Sequence, residues 1–400
     1  METKSLEARR IMKNVLIRGP LLTQSGYGCH SRQIVKWLLS KHDINVACQV
    51  LPWGNTPWFV DANALNGLVG KIMSKSGPLN SPYDVSVQVQ LPNEWDPKLG
   101  KFNVGITAAV ETDKCNPEWI TACNKMDLII VPSTHAKSNL TNTGEVKTKI
   151  IVVPESYVEA IAKPATSLQI QSLPTFSTPF NFLVFGQLTG NNAMNDRKNT
   201  FFTLKWLIEE FKDDPSVGII LKTNIGRNTL IDRNNVVGMI NQLLGETRKG
   251  QFPKVHILHG DMSDDEVAAL YKHPQVKALV SLTRGEGYGL PILEAATSGL
   301  PVVATGWSGH LDFLKHGKYI SIYYQLEAIH QSRIDNKIFM PGARWANPSE
   351  QDFKKRISKF RNSSAIPQEW AVELQTKLLE LYSFDAISKQ YDEALTGIIC

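Results

Sequence analysis

Short apolar runs alternate with longer amphipathic segments along most of this chain. Residues 14–18, 45–51 and 127–131 are strand-sized and rich in Val, Ile and Leu. Between the first two runs, residues 29–39 carry apolar side chains at helical spacing. Strands that are apolar throughout and separated by helices are typical of parallel sheets that helices cover on both faces. The pattern therefore predicts an α/β protein of the doubly wound class.

The pattern occurs twice, which predicts two Rossmann-like domains. The first series of runs ends before the segment 160–180, which is rich in Ser, Thr and Pro, has no clear period and indicates a linker. A second series of similar size follows. We predict an N-terminal domain at 1–165, a second domain at 180–375, and a C-terminal helix at 376–400 that packs back on the first domain.

Composition supports a folded protein and excludes several classes. Of the 400 residues, 42% are hydrophobic and 20% are charged, as in ordinary globular domains. No apolar run approaches the roughly 20 residues of a membrane span, and the charged segment 1–10 has no apolar signal-peptide core behind it. The five cysteines form no CxxC or Cys/His zinc pattern, so we expect reduced thiols and a cytoplasmic location.

The net charge of +5 is confined to the first part of the chain. Residues 1–150 contain 17 Lys and Arg against 12 Asp and Glu, whereas residues 151–400 contain 26 of each class. An excess of positive charge favours an anionic partner for the first domain. An excess this small permits a nucleic acid as the partner but does not by itself indicate one.

The segment 281–309 contains the strongest candidate for a binding site. A strand is predicted to end just before the glycine-rich turn 285–289, and Pro291 then suits the first turn of a helix. Free backbone amides and the positive end of the helix dipole make such a turn a cradle for phosphate. Glu286 and Glu294 can project into the same crevice at the carboxyl edge of the sheet. The alternative is that both carboxylates only stabilise the helix N-terminus from a solvated surface.

This segment resembles the E-x7-E signature of the retaining GT-B glycosyltransferases, most closely that of glycosyltransferase family 4. Residues 260–271, 345–348 and 384–395 are similar to further segments of that family. The resemblance implies two Rossmann-like domains facing a central cleft, with the acceptor on the first domain and the donor on the second. It implies that Glu286 faces the hydroxyls of the donor sugar as a catalytic residue and that Glu294 grips the nucleotide ribose. The donor diphosphate is then held by the backbone amides of Gly287, Tyr288, Gly289 and Leu290.

Positive charge for the diphosphate is expected from residues 195–199, at the strand-to-helix turn that opens the second domain. The resemblance implies an Arg and a Lys at this turn, and Arg197 and Lys198 are the candidates. Gln187 stands where many members of the family have Arg. The chain has no D-x-D motif, so we expect cations to stabilise the leaving group, without a metal and without a cofactor besides the nucleotide-sugar co-substrate. The alternative is a solvated basic turn.

Two segments of the first domain supply further candidates for the cleft. Gly26 and Gly28 follow the first strand, and the resemblance implies that they let the backbone approach the donor phosphates; the alternative is an ordinary turn. Their spacing is not G-x-G-x-x-G, so a nicotinamide cofactor is not expected. A strand predicted at 105–112 delivers Glu111 to the cleft, as a catalytic residue that positions the acceptor hydroxyl or acts as its base. The alternative for Glu111 is a helix cap.

Aromatic and imidazole side chains near these segments have two interpretations each. Trp53 and Trp58 lie in an irregular stretch rich in Pro and Gly, so they either contact the acceptor or pack on the core. His30 and His135 stand alone beside predicted helices, and we expect both to be structural rather than catalytic.

Together these features predict an enzyme that transfers a sugar from a nucleotide-sugar donor to a hydroxyl acceptor. Retention of configuration is implied only by the family resemblance. A glycan or a lipid-linked sugar is the expected acceptor, and hydroxymethylated pyrimidines of DNA, as modified by bacteriophage enzymes, are the alternative. Two hypotheses of other classes stay open, a nucleotide-sugar 2-epimerase and a non-catalytic protein that binds sugar nucleotides.

Overall fold

The computed structural model describes residues 12–77, 82–187, 192–224, 226 and 228–399. Two parallel six-stranded sheets form the centres of two domains, and helices pack against both. The predicted α/β class with two Rossmann-like domains is confirmed. Cys400 and the segment 1–10 considered above lie outside the described residues.

The sheet of the first domain has the strand order β2-β1-β3-β4-β5-β6, and all of its strand pairs are parallel. Val15 and Ile17 in its interior are completely buried, as expected where helices cover a parallel sheet. The strands are β1 Lys13–Gly19, β2 Ile44–Val50, β3 Tyr83–Val89, β4 Gly100–Ile106, β5 Leu128–Val131 and β6 Ile150–Val152. The helices are α1 Gly26–Leu39, α2 Leu68–Ser74, α3 Pro117–Cys123 and α4 Thr134–Thr143.

The second domain repeats this plan after a connection that contains α5 Ser167–Gln171. Its parallel sheet has the order β12-β11-β10-β7-β8-β9. The strands are β7 Phe180–Phe185, β8 Val217–Thr223, β9 Lys254–His259, β10 Val276–Ser281, β11 Val302–Thr305 and β12 Ile320–Ile322. The helices between them are α6 Thr200–Glu210, α7 Leu230–Thr247, α8 Asp264–Tyr271, α9 Leu290–Thr297 and α10 Leu311–Leu314.

The last part of the chain crosses back to the first domain. An antiparallel hairpin precedes the closing helices; the elements are β13 Tyr324–Ala328, β14 Arg344–Pro348, α11 Glu350–Asn362, α12 Ala365–Leu381 and α13 Phe384–Ala394. Helix α12 packs on α9 of the second domain. In α13, the Tyr391 hydroxyl lies 3.0 Å from His30 Nε2 of α1, and Asp392 accepts a hydrogen bond of 2.8 Å from Trp37 Nε1. The crossing therefore takes place between α12 and α13, a few residues after the predicted boundary at 376.

The topology of the two sheets determines where a ligand can bind. The strand order reverses between β1 and β3 in the first sheet and between β7 and β10 in the second. Open α/β sheets bind ligands outside the carboxyl ends of the strands at such switch points. These edges face each other here, since Ser133, after β5, donates a hydrogen bond of 2.5 Å to the carbonyl oxygen of Gly287, after β10.

Several elements differ from the prediction. Helices α7 and α11 and the hairpin β13–β14 were not predicted. The predicted linker at 160–180 is a fixed connection, because Phe176 is buried and packs edge-on against His256 and His273. Among the described residues, none of the helices combines the length and apolar character needed to cross a bilayer.

Candidate active site

The glycine-rich turn 285–289 joins β10 to α9 at the switch point of the second sheet. Gly289 precedes α9 with φ +102°, and Gly299 follows the helix with φ +75°. Both values lie in the left-handed region that favours glycine. Pro291 lies in the first turn of α9, where its missing N–H leaves no helical hydrogen bond unmade. The local sequence therefore determines where this helix begins and ends.

Gly285 and Gly287 let the two domains touch. A Cβ on Gly285 would overlap the carbonyl oxygen of Glu111, and one on Gly287 would lie 2.7 Å from the carbonyl oxygen of Ala108. The sequence indicated that these glycines make room for a phosphate, whereas the structure gives them a packing role between domains. The backbone amides of residues 287–290 have no acceptor among the described parts of the chain, so they remain available to a ligand.

Four charged side chains form a network beside this turn. Lys198 Nζ lies 2.7 Å from Glu286 Oε1, and Arg197 lies 3.2 Å from Glu286 Oε2. Arg197 also donates a hydrogen bond of 2.7 Å to the carbonyl oxygen of Gly285. Its second terminal nitrogen lies 3.4 Å from Glu111 Oε1 of the first domain. The structure thus brings the predicted residues Glu111, Arg197, Lys198 and Glu286 together, with two positive and two negative charges.

Glu286 is ionised in this environment. Burial alone would raise the pKa of its carboxyl, but Lys198 and Arg197 outweigh that effect and lower the pKa to about 2. A carboxylate that remains charged at neutral pH accepts hydrogen bonds and cannot donate a proton. Glu286 is therefore suited to holding cations or sugar hydroxyls and is unsuited to general acid catalysis.

Glu294 has the opposite electrostatic environment. It is on α9, one turn inside the helix, and it accepts a hydrogen bond of 3.3 Å from the Tyr271 hydroxyl. Burial and then the nearby Asp264 raise the pKa of Glu294 to about 8. A ligand with paired hydroxyls would supply the hydrogen bonds that this carboxyl lacks.

Tyr288 does not point into the cleft. Its ring is buried, and its hydroxyl donates a hydrogen bond of 2.7 Å to the carbonyl oxygen of Glu155 in the first domain. Only its backbone amide can serve a donor ligand. Leu290, the first residue of α9, likewise offers its amide.

The two glycines that follow β1 lie in the first turn of α1 and have different roles. Gly28 lies against Thr23, where a Cβ would overlap the Thr23 carbonyl oxygen, and its amide donates to the side chain of Ser25, the N-cap of α1. Gly28 is thus a packing residue, and its amide is not free for a phosphate as the sequence suggested. A Cβ on Gly26 would meet open space, so the backbone of Gly26 is accessible.

The irregular stretch that contains Trp53 and Trp58 is linked to the cleft through Tyr27, a residue that was not a candidate in the sequence analysis. Trp53 stacks on Tyr27 with ring centroids 4.0 Å apart, and the Tyr27 hydroxyl accepts a hydrogen bond of 3.0 Å from the Ala108 amide. Trp58 pairs by its backbone with Thr23, and its side chain is 40% exposed. Trp53 is therefore fixed by a stacking partner, while Trp58 is open to solvent.

Glu111 reaches the cleft on a loop rather than on a strand. Strand β4 ends at Ile106, well before the end of the strand predicted at 105–112. Ala109 has φ +54°, so the chain turns sharply before Glu111 and carries it to Arg197. This turn is fixed by its contact with Gly285 and Gly287, which lie far away in the sequence.

The two single histidines are neutral; His30 is buried and His135 is partly buried. Burial lowers the pKa of His30 to about 3. Burial also lowers the pKa of His135 to about 4, and its ring packs edge-on against Trp307. His30 forms a hydrogen bond with the Tyr391 hydroxyl and His135 packs on Trp307, contacts that fit the structural role expected for both.

The two facing Rossmann-like domains with a cleft between their carboxyl edges define the GT-B fold of glycosyltransferases. A family model described as "Glycosyl transferases group 1" matches residues 239–335, which include the turn 285–289 and α9. No curated protein sequence matches the chain.

Solved structures of glycosyltransferases share the whole architecture. HepE of Anabaena, in complex with UDP and glucose, superposes with a TM-score of 0.63 at 15% identity, covering 96% of this chain and 100% of that chain. A glycosyltransferase from Rickettsia africae gives 0.64 at 12% identity, with 96% and 99% covered. Sucrose-phosphate synthase from Thermosynechococcus elongatus gives 0.61 at 12% identity, also with 96% and 99% covered. The family match and the shared fold together support a glycosyltransferase of the GT-B class.

Proposed function

We propose that this protein transfers a sugar from a nucleoside diphosphate sugar to a hydroxyl acceptor with retention of configuration, as a member of the E-x7-E type that resembles glycosyltransferase family 4. The observation that carries the proposal is the position of the ionised Glu286 between Arg197 and Lys198, next to the free amides of residues 287–290. HepE, which has the same fold, has been solved with UDP-glucose, and this supports a nucleotide-sugar donor.

Each part of the donor has a matching group in the site. The diphosphate accepts hydrogen bonds from the amides of residues 287–290 at the N-terminus of α9. Glu286 accepts hydrogen bonds from the sugar hydroxyls, and Glu294 accepts them from the ribose. Arg197 and Lys198 balance the charge that develops on the leaving diphosphate.

The reaction then takes place on one face of the sugar. The bond between the anomeric carbon and the phosphate oxygen breaks as the acceptor oxygen bonds to the same carbon. The acceptor proton passes to the departing phosphate oxygen, so no separate base is required. In this scheme Glu111 orients the acceptor hydroxyl and holds Arg197 in place before the donor arrives.

A screen of nucleotide sugars tests the donor and the metal requirement together. We expect nucleoside diphosphate to be released from one or a few donors, at the same rate with and without EDTA, because the amides and cations of the site supply the positive potential. Loss of activity in EDTA that Mn²⁺ or Mg²⁺ restores would contradict the metal-free mechanism. An altered nucleotide sugar would indicate a 2-epimerase, and binding without turnover would indicate a non-catalytic binding protein.

For the acceptor we propose a glycan or a lipid-linked sugar, with hydroxymethylated DNA as the second candidate. The exposed Trp58, whose backbone pairs with Thr23, can stack on either a sugar ring or an unstacked base. The salt dependence of acceptor binding distinguishes DNA from a glycan or lipid-linked sugar. Each phosphate neutralised on DNA adds about −0.9 to the log–log slope of affinity against salt concentration. Mass spectrometry of added glycans and duplexes, at low and physiological salt, identifies the product. We further propose a cytoplasmic location, in keeping with the free thiols of Cys48 and Cys123.

Replacement of Glu294 by Gln is expected to weaken the binding of the nucleoside diphosphate roughly 10- to 150-fold. At pH 9, above its raised pKa of about 8, Glu294 is a carboxylate. A carboxylate that accepts two ribose hydroxyls makes charge-assisted hydrogen bonds worth about 1.5–3 kcal/mol each, and an amide retains only part of that energy. Calorimetry at pH 9 with UDP and with 2′,3′-dideoxy-UDP measures the effect. The dideoxy compound should bind both proteins equally, and equal UDP affinity in both proteins would remove Glu294 from the site.

A further inference from the structure

Glu155 is a buried carboxyl group that the proposed reaction does not use. It follows β6 in the first domain, and only 5% of its surface is exposed. Its Oε1 lies 4.0 Å from His30 Nδ1, and its Oε2 has no hydrogen-bond partner within the described ranges. A charged carboxylate buried with so few partners would be strongly unfavourable.

Among the described residues, no cationic side chain faces this carboxyl. The titratable side chains that face it come from three elements: α1, the glycine-rich turn with α9, and α13. They are Tyr27, Cys29, His30, Tyr288, Glu294 and Tyr391. Burial keeps His30 neutral, because it lowers the pKa of the ring to about 3. The remaining neighbours are neutral or acidic, so nothing compensates a negative charge on Glu155.

The backbone around Glu155 joins the two domains. On one side, Ser156 exchanges two hydrogen bonds with the side chain of Gln33 on α1, of 2.7 and 2.9 Å. On the other side, the Glu155 carbonyl oxygen accepts the hydroxyl of Tyr288, which lies in the turn of the donor site. Glu155 is thus fixed to the first domain and makes direct contact with the turn that carries the free amides.

We propose that Glu155 is a neutral carboxylic acid in the closed cleft and a positioning residue of the donor site, so that closure of the two domains takes up a proton. When the domains separate, water reaches Glu155 and the carboxyl ionises. When they close, Tyr288 and Glu294 of the second domain cover it, and the proton returns. The hydrogen bond from Tyr288 to the backbone of Glu155 then holds the turn 285–289 in register with the first domain, and the protonated side chain places no negative charge beside the carboxyl of Glu294.

The pKa of Glu155 in the open and closed forms determines how domain closure depends on pH. In the closed structure, burial and then Glu294 raise the pKa of Glu155 from 4.5 to about 8, whereas the hydrated group in the open cleft keeps its ordinary value. The closed form therefore binds the extra proton between these two pH values, and closure becomes about tenfold less favourable per pH unit across that range. Above pH 8 both forms are ionised, and the dependence levels off.

Small-angle X-ray scattering of the free full-length protein tests the proposal without any ligand. We expect the radius of gyration to increase as the pH rises from 6 to 9 in the wild type and to stay at its compact value in Glu155→Gln, whose amide cannot ionise. Glu159→Gln is the matched control, since Glu159 is exposed and pairs with Lys36 and Lys163; it should behave as the wild type. A wild-type radius that is constant across the range would overturn the proposal, whatever the folding of the variants.

A second measurement rests on the proposed function, because it uses UDP as the probe. Calorimetry at pH 7.5, where part of the free wild type is expected to be open, in buffers of different ionisation enthalpy should show that the wild type takes up more protons than Glu155→Gln on binding UDP. Binding of UDP with equal proton uptake in both proteins would refute the role of Glu155 while supporting the donor site. Absence of UDP binding, with the scattering result intact, would instead refute the donor site. Opening that persists in Glu155→Gln and disappears in Glu294→Gln would assign the titration to Glu294 and overturn the proposal.

Discussion

Replacement of Glu286 by Gln is expected to lower the kcat of sugar transfer by about 10²–10³-fold without weakening UDP binding. The carboxylate is ionised because Lys198 and Arg197 lie 2.7 and 3.2 Å from it. An amide offers one oxygen in place of two and carries no charge, so it cannot hold both cations and the sugar hydroxyls. Loss of one preorganised group that stabilises charge in a transition state costs about 10²–10³ in kcat. UDP binding is retained because the released Lys198 is then available to the diphosphate.

The contrast between kcat and UDP affinity distinguishes a catalytic role of Glu286 from a structural one. Steady-state kinetics with the active donor gives kcat, and calorimetry gives the affinity for UDP. Glu118→Gln, which changes an exposed carboxylate on α3, is the control and should match the wild type in both measurements. A kcat of Glu286→Gln within threefold of the wild type would exclude Glu286 from the chemistry. A parallel loss of UDP binding and thermal stability would show a purely structural role.

The fold was predictable because its signals are local. Strands of a parallel sheet that are buried on both faces are continuous apolar runs, and β10 and β11 show this directly in their sequences. The helix after the glycine-rich turn is equally local, since Gly289, Pro291 and Gly299 mark its start and its end. Helix α7 was missed because its buried residues form only a narrow stripe, while the apolar Leu230 and Ile231 at its start are exposed.

The contacts of the candidate site were less predictable, because they join residues that are distant in the sequence. The motif pointed to Glu286 and to a basic turn, but nothing in the spacing indicates that Arg197 contacts Glu111 of the other domain. The same holds for the hydrogen bond from Tyr288 to Glu155 and for the stacking of Trp53 on Tyr27. A glycine in the sequence indicates only that another group approaches its Cα closely, and not which group that is. For Gly285 and Gly287 the space is taken by the first domain rather than by a ligand.

Replacement of Arg197 by Gln is expected to reduce the kcat/KM of transfer by about 10²–10³-fold and to weaken UDP binding by about 10- to 150-fold. Arg197 is the one described cation that contacts carboxylates of both domains, with distances of 3.4 Å to Glu111 and 3.2 Å to Glu286. A guanidinium contact to phosphate is charge-assisted and worth about 1.5–3 kcal/mol, and its contribution grows as charge develops on the leaving group. Uridine lacks the diphosphate, so its affinity should be the same in both proteins.

The ion pair of Arg197 and Glu111 predicts whether the loss of Glu111 tightens or weakens UDP binding. A double-mutant cycle tests this prediction. Both side chains are about one-quarter exposed, so solvent screens their attraction, and the pair contributes about 1 kcal/mol or less. The donor diphosphate has to compete with Glu111 for Arg197. We therefore expect Glu111→Gln to tighten UDP binding, by up to about fivefold, when Arg197 is present. The same change should have no effect on UDP affinity in Arg197→Gln, because the competition no longer exists there. Additive effects of the two substitutions on UDP affinity would show that Glu111 and the diphosphate do not share Arg197.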